Sequence, residues 1–508
     1  MDSTLQKEEL SKILEELTVI KEKVRGLKSK GAGREAELGL EPPENIEGLL
    51  RPAQNEIGKF LADKEKRAAD WEKETEEMEE VFARAKGKPC NFGVQGICCR
   101  NCSMGPCRIT SKSPKGICGA TAETISSRNF ARMMIAGGSA HSEYARQMTR
   151  LLFAVADGSV EKAKIADPNK LRSVAKRLGI EVNGQVDNQL AKQISKKASL
   201  EFGKQEEGLE LIKLAPEKRQ KIWQEQGVVP RGIEREMVEM LHRTHMGVDQ
   251  EAENILAGST RCALACGFGS SMIYTELLDI LFTEPALFTK EAITALSGAI
   301  KNGQVKGVAC VCACQNVRTW QEGRSAKLIK ALLKENVLVV HTGCETVSCK
   351  SKGNVEETPS FAACVGLSNC AKEGLLSSES LSMAGEGLKE FCQKAGILPV
   401  VHFGSCLENS RLLNLALYLI DEGLADDISK LPFVFCAPEW ASSKVLVAGQ
   451  YLVSSGIPAF FGPTFPTGSD VFSKLLAEKS KELYGANWTL EADLEKMAEL
   501  AIQEINNK

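Results

Sequence analysis

The pattern of apolar and polar positions divides the chain into three stretches with different periods. Near the N-terminus Leu10, Ile13, Leu17, Ile20, Val24 and Leu27 recur at alternating spacings of three and four, a heptad seam. Ser3 and Gln6 have the spacing of a capping box at its start. Gly31-Ala-Gly33 breaks the seam, and Pro42-Pro43 marks a linker. Residues 52–86 are rich in Lys and Glu and read as a solvated helix. The seam is short, so a bundle or a helix that docks a partner protein competes with a true coiled coil. Nothing in residues 1–85 reads as catalytic.

Residues 120–300 follow the helical period. TAETISSRNFARMMIAGGSAHSEYARQMTRLLFAVA and IEREMVEMLHRTHMGV are examples, with Ala, Leu, Lys and Glu dominant. From about residue 304 short β-rich apolar runs alternate with helical stretches: VKGVACVC, NVLVVHTG, ILPVVHFG, PFVFCA and IPAFFG. That alternation predicts a Rossmann-like parallel sheet with helices on both faces. The expected organisation is a helical extension and linker over 1–85, a helical domain over 86–303 and an α/β domain over 304–508. In such a sheet ligands bind beyond the carboxyl ends of the strands. After PFVFCA, Pro438 and Glu439 suit the first turn of a helix, which places Lys444 within its first two turns.

Composition narrows the setting. With 508 residues, 43% of them hydrophobic and 26% charged, the chain suits a soluble protein of two to four domains. A net charge of −3 gives no basic footprint for nucleic acid. No run of 18 apolar residues predicts a membrane span, and MDSTLQKEELSKIL has no apolar core of a signal peptide. Eighteen cysteines then point to a reducing cytoplasm, with thiols free or bound to metal. Histidines are scarce, at five, so one near a metal motif is informative.

The densest chemistry is the run CNFGVQGICCRNCSMGPCRITSKSPKGICGA, which holds Cys90, Cys98, Cys99, Cys102, Cys107 and Cys118. Its glycines and prolines let successive thiolates turn toward one centre, as iron–sulfur clusters require. Zinc favours paired C-x2-C units, and only Cys99 and Cys102 have that spacing. Structural cysteines are the third reading. Cys99, Cys102, Cys107 and Cys118 form the natural set for one cubane. Cys90 and Cys98 remain as half a set, completed most simply by the same pair of a second subunit across a twofold axis. Three further cysteines stand at the ends of predicted strands: Cys314, Cys344 and Cys406. They are placed to converge on one metal centre. Cys310 and Cys312, inside a strand, read as small hydrophobes. Lys444 is by type a surface residue, but beside a cluster its ammonium can stabilise a carboxylate-like intermediate.

At this point the residues resemble a known family, the anaerobic nickel carbon monoxide dehydrogenases. The cysteine run with TAETISSRNFARMMIAGG, then LHRTHMGVDQEAENIL, VVHFGSCLENSRLL and CAPEWASSKVLVAGQYLVSSGIPAFFGP, are collinear with its motifs over roughly residues 86–285 and 304–470. The resemblance implies a homodimer that oxidises CO with water to CO2, two protons and two electrons. It implies a 4Fe–4S cluster shared through Cys90 and Cys98, and a relay 4Fe–4S cluster on Cys99, Cys102, Cys107 and Cys118. It also implies a catalytic Ni–Fe–S cluster on Cys314, Cys344 and Cys406, with Lys444 contacting a CO2-derived carboxylate and His141 assisting proton transfer. Electrons would leave to a ferredoxin-like acceptor.

The sequence also departs from that family. Its middle α/β domain, which supplies a histidine and two cysteines to the catalytic cluster, is missing: residues 286–303 lead almost directly into the sheet. The histidine ladder that follows His141 is replaced by Tyr144, Gln147 and Arg150. Cys262, Cys266, Cys310, Cys312, Cys349, Cys364 and Cys370 are extra, and some are candidate substitute ligands, as is His341. An altered cluster acting on another small molecule, in the manner of the hybrid-cluster proteins, therefore stays open, as does a non-catalytic electron-transfer subunit.

Overall fold

The cysteine run folds as a small antiparallel ribbon, β1 (Cys98–Cys99) against β2 (Cys107–Arg108). The computed structural model describes residues 87, 90–160, 163–282, 285–312, 314, 324–343, 380–439, 441–462 and 470–508. The N-terminal seam, its capping box and the Pro42-Pro43 linker lie outside them, as do Cys344, Cys349, Cys364 and Cys370.

After the ribbon comes α1 (Ala122–Asp157), the axis of the helical half. The Thr121 hydroxyl caps it by accepting the Thr124 N–H, and Gly158 closes it at φ 85°, a conformation glycine adopts without strain. Around it lie α2 (Pro168–Arg177), α3 (Asp187–Gly203), α4 (Glu217–Glu225), α5 (Ile233–Arg243), α6 (Ala252–Ala265), α7 (Met272–Leu281) and α8 (Lys290–Lys301). A π-helical turn, Cys266–Ser271, joins α6 to α7 without a break.

The sheet half runs β3 (Gly307–Cys312), α9 (Arg324–Lys334), β4 (Val337–Thr342), α10 (Glu386–Ala395), β5 (Val400–Gly404) and α11 (Ser410–Asp421). It continues through β6 (Phe433–Ala437), α12 (Ser443–Ser454), β7 (Ala459–Phe461), α13 (Asp470–Tyr484), β8 (Trp488–Leu490) and α14 (Leu494–Asn506). The strand order is β5-β4-β3-β6-β7-β8, and every neighbouring pair is parallel. All five predicted strands form within their runs. The sixth, β8, has three residues, too few to show a period. The order reverses between β3 and β6, which makes the crevice beyond their carboxyl ends the place for a ligand.

One expectation needs correction. The helix after β6 starts at Ser443 rather than at Pro438 and Glu439. The backbone of those two residues packs against Gly462, where a Cβ would lie 2.2 Å from the Pro438 carbonyl oxygen. Lys444 is still in the first turn. The continuous helix Ala252–Leu281 is long and apolar enough to cross a membrane by length and composition alone. It is mostly buried, packed against α1, α5 and α12, so its apolar surface goes into the core.

The two halves interlock. Trp223 Nε1 donates to the Ser454 carbonyl at 2.8 Å, and Gln450 Nε2 donates to Thr260 Oγ1 at 2.9 Å. Arg219 of α4 and Asp427, before β6, form a fully buried ion pair. Residues Glu77–Lys508 accordingly form one compact unit.

Candidate metal centres

Successive residues of a strand face opposite sides. Cys99 pairs with Cys107 across the ribbon and Cys98 with Arg108, so Cys99 and Cys107 share one face and Cys98 takes the other. Cys102 and Cys118 come to the Cys99/Cys107 face. The four thiols line a cavity of about 300 Å³, together with Ile125, Arg128 and Met246 among others. Gly105 permits the tight return: a Cβ there would lie 3.0 Å from both Cys99 O and Cys107 N. Cys90 and Cys98 lie outside the cavity, Cys90 exposed and Cys98 half-buried. Cys90 precedes a one-turn helix, and the N–H groups of Gly93 and Phe92 hold its thiol below the usual range.

Polar side chains fasten this loop to the helical half. Asn129 Nδ2 donates to Gly96 O at 2.8 Å, and Asn101 Nδ2 to Thr244 O at 3.1 Å. Arg128 Nε donates to Asp249 O at 3.0 Å. No sequence period marks these residues. Among the described residues no three His, Cys, Asp or Glu side chains close on a single ion. A zinc site would need its thiolates roughly 3.8 Å apart, from a Zn–S bond near 2.3 Å. Four cysteines spread around an open cavity instead fit the four-thiolate donor set of a cubane.

At the switch point, Cys314 lies just past β3 and Cys406 just past β5. Cys406 abuts the end of β4, where a Cβ on Gly343 would lie 3.3 Å from the Cys406 Cβ. Cys310 and Cys312 are fully buried in β3 and both turn to Asn409, which sequence reasoning missed. Asn409 Nδ2 donates to Cys312 Sγ at 3.2 Å, and Cys310 Sγ donates to Asn409 Oδ1 at 3.6 Å. Burial pushes both thiols up. Cys262 and Cys266 are also buried; burial raises the Cys262 thiol, and pushes Cys266 up to about 12. His341 is buried inside β4, its ring 6.0 Å from that of His402 on β5.

His141 and Lys444 come from different halves and meet where α1 crosses the start of α12. Gly137, one turn before His141, makes the crossing: a Cβ there would lie 2.1 Å from the Ser443 carbonyl oxygen. Gly137→Ala should therefore destabilise the protein by about 1–3 kcal/mol, read as a lowered denaturation midpoint. Burial, then the Lys444 charge, push the His141 imidazole down to about 3, so it is neutral at ordinary pH. Its Nδ1 lies 2.5 Å from Ser271 Oγ, and the ring also approaches the Lys444 backbone. Lys444 is half-buried. Farther along α1, Tyr144 is exposed, Gln147 bonds to Glu143, and Arg150 lies 4.0 Å from the same carboxylate. These side chains do not extend a titratable chain from His141.

The family described as Prismane/CO dehydrogenase matches residues 97–299 and 289–495. The chain belongs to that family. Carbon monoxide dehydrogenase 1 of Methanosarcina mazei is 30% identical over 600 aligned positions, covering 82% of this chain and 92% of that protein. The β subunit of carbon monoxide dehydrogenase/acetyl-CoA synthase from Moorella thermoacetica is 24% identical, over 80% of this chain and 87% of its own. Among solved structures, a nickel-free carbon monoxide dehydrogenase from Thermococcus sp. AM4 superposes with a TM-score of 0.73 at 27% identity, covering 83% of this chain and 92% of that one. Carbon Monoxide Dehydrogenase IV from Carboxydothermus hydrogenoformans has the same fold, with a TM-score of 0.75 at 23% identity, over 86% and 97% of the two chains. Within the Prismane/CO dehydrogenase fold, the switch-point crevice and the four-cysteine cavity are thus two separate candidate centres of this chain.

Proposed function

We propose that this family member is a carbon monoxide dehydrogenase-type iron–sulfur oxidoreductase. It takes CO and water to CO2, two protons and two electrons, and passes the electrons to an external acceptor of ferredoxin type. The observation that carries this reading is the meeting of Lys444 and His141 beside the crevice that Cys314 and Cys406 reach. A Ni–Fe–S cluster held by Cys314, Cys344 and Cys406 would supply the redox centre for CO. The Lys444 ammonium, at the start of α12, holds a developing carboxylate by charge. His141, neutral and buried, offers a ring nitrogen to the same group. Cys99, Cys102, Cys107 and Cys118 hold the relay cluster. Cys90 and Cys98, outside that cavity, pair with the same residues of a second subunit to hold a shared one, which makes the protein a homodimer.

We also propose that it is a short member without the family's middle α/β domain. Helix α8 ends at Lys301 and β3 begins at Gly307, which leaves no room for a domain between them. The alignment with the Methanosarcina mazei protein spans 600 positions, more than the 508 residues of this chain, so part of that relative has no counterpart here. Cluster chemistry on the remaining ligands is the point to test. Protein purified without oxygen should contain nickel as well as iron, by elemental analysis per chain. A chain fully loaded with iron that takes up no nickel would instead favour an altered cluster and another substrate.

A further inference from the structure

Three buried side chains meet inside the π turn. Ser271 closes that turn, and its hydroxyl lies 2.5 Å from His141 Nδ1 and 3.6 Å from Cys266 Sγ. Ser271, His141 and Cys266 are all fully buried. The neighbouring Ser270 hydroxyl donates to the Cys266 carbonyl at 3.2 Å. The Ser270 hydroxyl also reaches the Cys266 thiol, while Ser271 faces His141, Cys266 and the Tyr451 hydroxyl. Tyr451 of α12 walls the group: a Cβ on Gly267 would lie 2.6 Å from the Tyr451 ring. A π turn in the middle of a long helix re-aims side chains in this way and often marks a functional site.

We propose that Ser271 is a positioning residue that donates its hydroxyl proton to Nδ1 of His141, fixing the ring proton on Nε2. His141 then faces the site as a neutral hydrogen-bond donor, and Cys266 acts as a hydrogen-bond partner of Ser271 rather than as a metal ligand. The argument is a count of donors and acceptors. The imidazole nitrogen is the strongest acceptor within reach of the Ser271 hydroxyl, and a thiol sulfur is a weak one. The hydroxyl proton therefore goes to Nδ1. The Ser271 lone pairs remain to accept from the Cys266 S–H and the Tyr451 O–H. Every proton in this chain has an acceptor: S–H to oxygen, O–H to nitrogen. In the reverse arrangement, with Nδ1–H donating to the Ser271 oxygen, the Ser271 O–H turns to the Tyr451 phenol oxygen or the Cys266 sulfur, both weaker acceptors than the imidazole nitrogen. The arrangement also accounts for a neutral imidazole beside a lysine: as a donor it reinforces the ammonium without adding charge. Only the recipient of the Nε2 proton, a carboxylate-like group, rests on the function proposed above.

The test uses the full chain labelled with 15N-histidine, both as purified and metal-free. Magic-angle-spinning NMR separates protonated from bare ring nitrogens, and only five histidines contribute. The His141 signals are those missing from His141→Asn. In the wild type His141 should show one tautomer, with Nδ1 bare and Nε2 protonated. Ser271→Ala should lose that single form and show both tautomers, whereas Cys266→Ser, which supplies a better donor, should retain it. Protonated Nδ1 in the wild type, or an unchanged tautomer in Ser271→Ala, overturns the proposal. The wild-type spectrum decides even where a variant fails to fold. Lack of CO oxidation would sink the functional reading and leave this result standing.

Discussion

Replacing Cys102 and Cys107 together by serine should remove about four iron atoms per chain, the content of one cubane. Both side chains line the cavity that Cys99 and Cys118 complete. A thiolate is the ligand, and a serine hydroxyl does not ionise at neutral pH to replace it. The loss should reach beyond the metal. The cysteine loop has two strands of two residues each and a satellite core of only Ile109, Ala120 and Ile125. A segment that buries so little apolar surface needs a staple, and metal binding is then part of its folding free energy. Limited proteolysis should therefore cut the double variant between residues 98 and 120 while the remainder survives. Unchanged iron content, or full protection of the loop, would exclude a cluster in this cavity.

Lys444→Ala should lower CO-dependent turnover by about 10²–10³-fold, the typical cost of removing one preorganised group that stabilises developing charge. Metal content and thermal midpoint should stay near those of the wild type. Lys444 is the second residue of α12 and only half-buried, and it is none of the candidate ligands. Loss of nickel or iron in this variant would assign Lys444 a structural part instead. Turnover equal to that of the wild type would remove it from the site.

Much of the architecture was legible because it follows from repeating patterns. The period of 3.6 marked α1 and its neighbours, and short apolar runs bounded by polar stretches marked β3 to β7. The spacing of the cysteine run set Cys99, Cys102, Cys107 and Cys118 apart from Cys90 and Cys98, and in the fold those four side chains line one cavity. What escaped the sequence depends on tertiary geometry. Ser271 gains its part from a π turn that no side-chain period announces. Asn409 matters because the 3₁₀ segment Cys406–Asn409 returns its amide to β3. The start of α12 was misplaced because Gly462, far along the chain, packs against the backbone of Pro438 and Glu439.

The central claim is that this chain, with its reduced ligand set, oxidises CO at the crevice between β3 and β6. Viologen reduction by the anaerobically purified, nickel-loaded chain under CO tests it most directly. The account predicts reduction that requires CO and collapses in Lys444→Ala. No CO-dependent reduction from protein with full iron and nickel content would contradict it.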